Sequence, residues 1–529
     1  MSRKALPMPH PTEQARRGGV ADGMYSVRHD QSWLPRSICA GLPERNAMQS
    51  NYERGRRGVS VSSTDALSRA CRPLIAFIHA AAPVTILTVC PAAAQNIVPV
   101  VSPDRIEDVS PMTIDISPFH EIGYFRGDAV AGANLHPSDK FDNFAWRAFI
   151  ALNWPSLTDP AHRGDPDRAK TLGDPGPRVW ETFKARYEVF QAGPDGGPIA
   201  PQPWATYDAM NPCGADVDGR AKTLATFDPF MDFNQFGSLP GVAANPLVAQ
   251  NRTYTRYETR INEPEYVALA LSGWSQGNNL PDEDNPAQLP AGSIAVKAAW
   301  RLLTAADTPA VRARYYVVEN ANVVDVAQTR AVRRVVCSKS DVALVGLHIV
   351  VRTKYRPQGV WSSFEHIDNV PPVGSGEGRE PDAKDAGVPY SYFDASKPRL
   401  GLWPKFGAPG TAPVSIDQPP KIDPAPMQVV RRHPLHPPTM AMNRAYWALP
   451  EIKGTVWQYY MLVANQWPTH TQPVAPHNDG VYFPEARKEN LVNSTMETYL
   501  QDPPSSCMSC HQVFNALGRD FVAMLTSFR

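Results

Sequence analysis

Near the C-terminus the chain reads Cys507-Met508-Ser509-Cys510-His511, with 18 residues after the histidine. Two thiols three positions apart can each add to a vinyl group of one porphyrin, and the imidazole next to them then lies over the iron. That is the C-x-x-C-H pattern of c-type haem attachment. It predicts one covalent haem c, tethered by Cys507 and Cys510, with His511 as the proximal iron ligand. From this composition the pattern arises by chance roughly 0.002 times. A thioredoxin-like pair would need a βαβ context, which the lead-in Pro503-Pro504-Ser505-Ser506 does not offer. Half a zinc site would need a second Cys/His pair at zinc spacing, and the sequence has none.

The sixth iron position separates electron carriage from catalysis. A Met or His there closes the iron for outer-sphere transfer, whereas an open face beside an acid or base admits a small ligand. By proximity along the chain the candidates are His470 and Met496, then Met461 and His477, with Met524 beyond the motif. Met508 sits inside the attachment loop and cannot reach the far face. A further arrangement uses two strands: if 342–353 and 359–369 form a hairpin turning at Arg356-Pro357-Gln358, residues whose numbers sum to 714 face one another. His348 then opposes His366 at about 5 Å between Cβ atoms, although a one-residue slip would separate them.

These groups need a scaffold and a compartment. Residues 73–94 contain no Asp, Glu, Lys or Arg, follow Arg69 and Arg72, and end in Ala92-Ala93-Ala94. This is the layout of an export signal cleaved near Ala94; Pro83 and the short apolar core argue against a membrane span. A lipoprotein site at Cys90 is disfavoured by the bulky Val89. Residues 1–72 are Arg/Gly-rich and aperiodic, and are expected to be a disordered or misassigned extension with translation starting downstream. The expected location is therefore the periplasm, with no membrane span left after signal removal. In that compartment Cys213 and Cys337 could pair or remain buried thiols.

Of the 529 residues 43% are hydrophobic and 20% charged, and the net charge is zero, which excludes a wholly disordered chain and a strongly basic nucleic-acid binder. The 54 prolines argue for many irregular connections. Helical spacing is read at 141–152, 179–191, 263–271 and 490–500, and again through Val513, Phe514, Leu517, Phe521, Val522 and Leu525. Alternating β-branched and aromatic residues mark strands from Arg252, at 293–303, 313–318 and 342–353; 455–467 fits either type. The expected class is α+β: a large mixed domain over 95–485 with a substantial antiparallel sheet and a Pro-rich excursion at 371–438. A C-terminal haem-attachment segment, 486–529, follows, its haem packed by C-terminal helices.

Several segments carry a resemblance: FIALNWP (149–155), VWETFK (179–184), VKAAWRLL (296–303), VGLHIV (345–350), WSSFEHIDN (361–369), and METYLQ with SCMSCH (496–511). Together they resemble exported bacterial proteins grouped under the name cytochrome c family protein. The resemblance covers nearly everything after about residue 140 but not the Arg-rich N-terminus. It implies a periplasmic haem protein with Cys507, Cys510 and His511 in the roles above, and no defined reaction for the large domain. The leading expectation is a monohaem electron-transfer cytochrome with an unidentified periplasmic redox partner. The alternatives are a haem peroxidase or small-molecule oxidoreductase with its pocket in the large domain, and a haem-based sensor or binding protein.

Overall fold

The computed structural model describes residues 137–192, 197–207, 210–211, 213–215, 222–225, 247–329, 332–353, 356–373, 379–397, 424–468, 485–486, 491–498, 501 and 506–526. All belong to the unit Glu44–Arg529; the other unit, Met1–Pro43, lies outside the described residues, as do the expected extension 1–72 and signal 73–94. Among the described residues no helix is long and apolar enough to cross a membrane.

The scaffold is α+β, built on a curled nine-stranded mixed sheet. Six long strands carry it: β1 (Arg256–Ile261), β2 (Ile294–Leu302), β3 (Val317–Thr329), β4 (Val332–Thr353), β5 (Arg356–His366) and β6 (Tyr460–Pro468). β4 is the spine. Its first half pairs with β3, and its second half lies between β2 and β5, all antiparallel. The short strand Thr223–Ala225 bridges β3, in parallel, and β1, which returns to β2, so the sheet curls on itself. Runs such as Val345–Val351 suit the middle of a sheet because β-branched side chains fit a pleated, covered surface.

One face is covered by helices. In α1 (Pro137–Leu152) the residues Phe141, Phe144, Ala145, Ala148, Phe149 and Leu152 recur every three or four positions, and all are buried. Phe149 stacks on Phe364 of β5 at 4.3 Å, and Trp146 on Tyr446 of α3 (Pro437–Trp447) at 4.9 Å. Asn443 ties the two helices to the sheet, accepting from Trp146 Nε1 at 2.9 Å and donating to the Leu462 carbonyl at 2.9 Å. The helix α2 (Glu263–Leu271) begins at Asn262, whose side chain accepts from the Glu265 amide, and stops at left-handed Gly273.

Three sequence expectations are corrected and one left open is resolved. Segment 179–191 is not one helix but a 3₁₀ turn (Val179–Thr182), a strand fragment and a one-turn helix, because the guanidinium groups of Arg163 and Arg260 take the carbonyls of Glu181, Thr182 and Phe183. Segment 455–467 resolves into a 3₁₀ turn and strand β6. The described part of 490–500 is a series of turns, held by Asn493, rather than a helix. The helix expected to run to Leu525 ends at Ala516.

Candidate functional site

The other face of the sheet carries Trp361, Ser363, Gly346, His348 and Lys297, and the C-terminal chain crosses it. Gly346 permits this: a Cβ there would lie 2.4 Å from Thr495 Oγ1. Tyr257 donates to the Thr495 carbonyl at 2.7 Å, and the Ser494 amide to Glu365 at 2.7 Å, so the turns at 493–496 lie directly on the strands.

From there the chain enters α4 (Cys507–Ala516), which carries the whole motif. Cys507 and Cys510 are one helical turn apart, both half-buried, and neither is in a disulfide. The start of α4 is held by the Met508 amide, which donates to Gln466 of β6 at 2.7 Å, and by the Met508 side chain, packed against Trp361 and Phe521. The helix closes with a Schellman turn. The Arg519 amide reaches back to the Phe514 carbonyl, the Gly518 amide to that of Asn515, and Gly518 takes φ +73°.

That reversal determines the state of His511. Asp520 and Phe521 follow at φ +46° and +62°, a region non-glycine residues seldom occupy. The Phe521 carbonyl is thereby brought 2.8 Å from His511 Nδ1. A carbonyl only accepts, so Nδ1 carries the proton and Nε2 has the lone pair a metal would use. Burial pushes the imidazole down to about 4, against the opposing effect of the Phe521 carbonyl, so the ring is neutral at physiological pH. Its face meets Trp361 at 4.6 Å and Phe514 at 5.5 Å. The ionisable groups nearest to act on it are Lys297, His348 and Glu497.

The reversed turn is clamped from the sheet. Arg352 of β4 reaches the Asp520 carboxylate at 2.9 Å and donates to the Asp520 and Pro357 carbonyls, while Asp520 also accepts from the Leu289 amide at 2.8 Å. Burial raises the Asp520 carboxyl, with Arg352 opposing. Sequence reasoning missed Arg352, Asp520, Phe521, Lys297 and Glu497. The legible signal was Gly518, a helix terminator that reverses the chain within reach of the motif.

The expected opposition of His348 and His366 does not occur. The hairpin turns between Thr353 and Arg356, with an irregularity at Val351–Thr353, so paired residues sum to 711: His348 faces Ser363, and His366 faces Tyr460 of β6. The three-residue offset puts the two histidines on opposite faces of the sheet. His366 is a packed core residue: Nε2 donates to the Arg314 carbonyl at 3.0 Å, Nδ1 accepts from the Asp368 amide, and the ring stacks on Tyr315 at 3.8 Å. Burial pushes it down to about 4. His348 stays on the motif's face. Glu497 Oε1 lies 3.3 Å from its Nε2 but off the line a hydrogen bond needs, leaving that buried nitrogen without a hydrogen-bond partner.

Met496 is fully buried in a cluster with Tyr257, Val345 and Tyr392, Met461 in one with Ile367 and Leu435, and Met524 in one with Ile261 and Leu269. His470 and His477 lie outside the described residues. Among the described residues no three His, Cys, Asp or Glu side chains gather into a site for a bare metal ion. Cys213 and Cys337 form a disulfide, with Cα atoms 5.7 Å apart. Comparison of the chain with protein-family models, with curated proteins and with solved structures found no match in any of the three.

Proposed function

We propose that this chain is an exported monohaem c-type cytochrome that carries electrons in the periplasm. The observation that carries the reading is the 2.8 Å contact from His511 Nδ1 to the Phe521 carbonyl, within a C-x-x-C-H motif on one helical turn. It holds the tautomer a haem ligand needs, and a carbonyl partner on Nδ1 strengthens Nε2 as a donor. Cys507 and Cys510 would tether the porphyrin, and His511 would ligate its iron. Trp361 and Met508, packed beside the motif, keep water from that side. Bound there, haem c supplies one-electron exchange between Fe(II) and Fe(III). The Cys213–Cys337 disulfide supports the oxidising compartment in which such haem is attached.

A second reading, an oxidoreductase acting on a small molecule, is favoured by one observation. His348, with its bare Nε2 and Glu497 beside it, lies on the motif's face of the sheet and could hold or pass a proton there.

The test is expression with a working haem-maturation apparatus, followed by intact mass, haem staining after denaturing electrophoresis, and optical and EPR spectra. Covalent haem that disappears in Cys507→Ala/Cys510→Ala, with low-spin iron, supports the carrier. High-spin iron reacting rapidly with peroxide moves the reading to the oxidoreductase. A colourless polypeptide at its bare mass refutes both.

A further inference from the structure

On the face of the sheet away from the haem motif lies a cleft of about 860 Å³, within the range of small-molecule sites. The separation follows from strand alternation. On β1 and β2, Tyr257 and Lys297 face the C-terminal turns, whereas Glu258 and Trp300, joined by a 2.8 Å hydrogen bond, face the cleft's side.

Arg312, paired with Asp341, and the exposed Glu319 stand at the cleft's rim, while the charges beneath them are buried and do not balance. Lys222 Nζ lies 2.8 Å from Glu181 Oε1 and is also paired with Glu258, between the rings of Trp180 and Trp300 at 4.8 and 4.2 Å. Arg260 shares Glu258 at 2.7 Å. Glu181 also takes the Tyr316 hydroxyl and the Arg178 amide. These two carboxylates therefore serve Lys222 and Arg260. Arg178, 4% exposed, has no carboxylate on its guanidinium. It donates to the carbonyls of Asn153, Leu172 and Asp174, meets the Tyr316 hydroxyl, stacks over Tyr316 and Trp457 at 4.7 and 5.2 Å, and leaves Nε without a partner; the Asp174 carboxylate acts on it only from a distance, without a hydrogen bond. A third buried carboxylate, Glu188, acts on Arg260 but is held by Arg163 and Lys184, so Arg178 is left without a carboxylate, and such a buried charge is costly.

We infer that this cleft binds a small organic carboxylate, whose charge offsets Arg178 and whose apolar body lies along Tyr316, Pro177 and Val456. The site is independent of the haem reading, because none of its residues belongs to the motif or its face. A phosphate-sized ion would leave most of the volume unfilled.

The test is isothermal titration of the full mature protein with acetate, benzoate, benzyl alcohol and benzamidinium, with tryptophan emission followed in parallel. Benzoate should bind, acetate more weakly, and the neutral and cationic rings not at all. Two variants that each remove one charge should act in opposite directions: Arg178→Gln should weaken benzoate about tenfold or more, and the isosteric Glu181→Gln should tighten it. Should Arg178→Gln fail to fold, Glu181→Gln still decides the matter. The inference is overturned if neither carboxylate binds at millimolar concentration, if benzamidinium binds as well as benzoate, or if Glu181→Gln weakens benzoate.

Discussion

Replacing Arg352 by Met should release the chain that follows α4. The arginine side chain is 4% exposed and that of Asp520 12%, so their contact is a buried ion pair. Met keeps much of the stem's bulk but removes the guanidinium and with it the hydrogen bonds to the Asp520 and Pro357 carbonyls. Removing one member of a buried pair costs about 3–5 kcal/mol. Because the Asp520 carboxyl is already raised by burial, it can take up a proton and recover part of that cost, which favours the lower end, about 3 kcal/mol. The left-handed Asp520 and Phe521 make the segment relax once freed, each holding about 1–3 kcal/mol of backbone strain. At 1.4 kcal/mol per tenfold, amide exchange across 511–526 should speed up on the order of 100-fold. The assay is hydrogen–deuterium exchange with mass spectrometry on the protein expressed with a haem-maturation apparatus. Exchange in that peptide within about twofold of the parent would refute the clamp as the device that holds Phe521 against His511.

Other outcomes follow from the same contacts. Gly518→Ala combines a left-handed backbone with a Cβ 1.9 Å from the Asp282 carbonyl oxygen, so it should lower the melting temperature by more than the ~1–2 kcal/mol of the backbone term alone; an unchanged melting curve would contradict the close approach. His366→Ala should destabilise by about 2–4 kcal/mol in urea yet leave the haem spectrum unmoved, since both ring nitrogens are committed to main-chain groups. Burial raises Glu265 to about 7 from an ordinary value of 4.5. Its contribution, about 3 kcal/mol, is full below pH 4.5 and is lost as pH rises through 7; urea midpoints of Glu265→Gln should lack that decline. His366 acts at the acid side: its stabilising effect is present above 6.5 and disappears as pH falls through about 4.

The Cys507, Cys510 and His511 motif was legible in the sequence because it is local. Three residues within one helical turn hold their relation whatever surrounds them, and β2, the second half of β4, most of α1 and all of α2 were equally plain from periodicity and residue type. Where local pattern met a competing partner it failed. The apolar spacing of 513–525 reads as one helix, yet Gly518 reverses the chain and docks it against Asp282 and Arg352. The segment 179–191 has helical spacing, but Arg163 and Arg260 take its main-chain carbonyls elsewhere. For His348 and His366 the pattern of alternation survived while the register moved by three, since a turn's place depends on a few backbone angles that no side-chain periodicity records.

What sequence alone determined, then, is that two thiols and an imidazole stand ready on one turn near the chain's end. Only the tertiary structure decided which nitrogen of His511 is left to bind, that Glu497 and not His366 accompanies His348, and that a cationic cleft lies on the far side of the sheet. Each of these depends on residues from ten to hundreds of positions apart meeting in a water-poor interior, where one carbonyl or one guanidinium without a carboxylate outweighs any preference of the local chain.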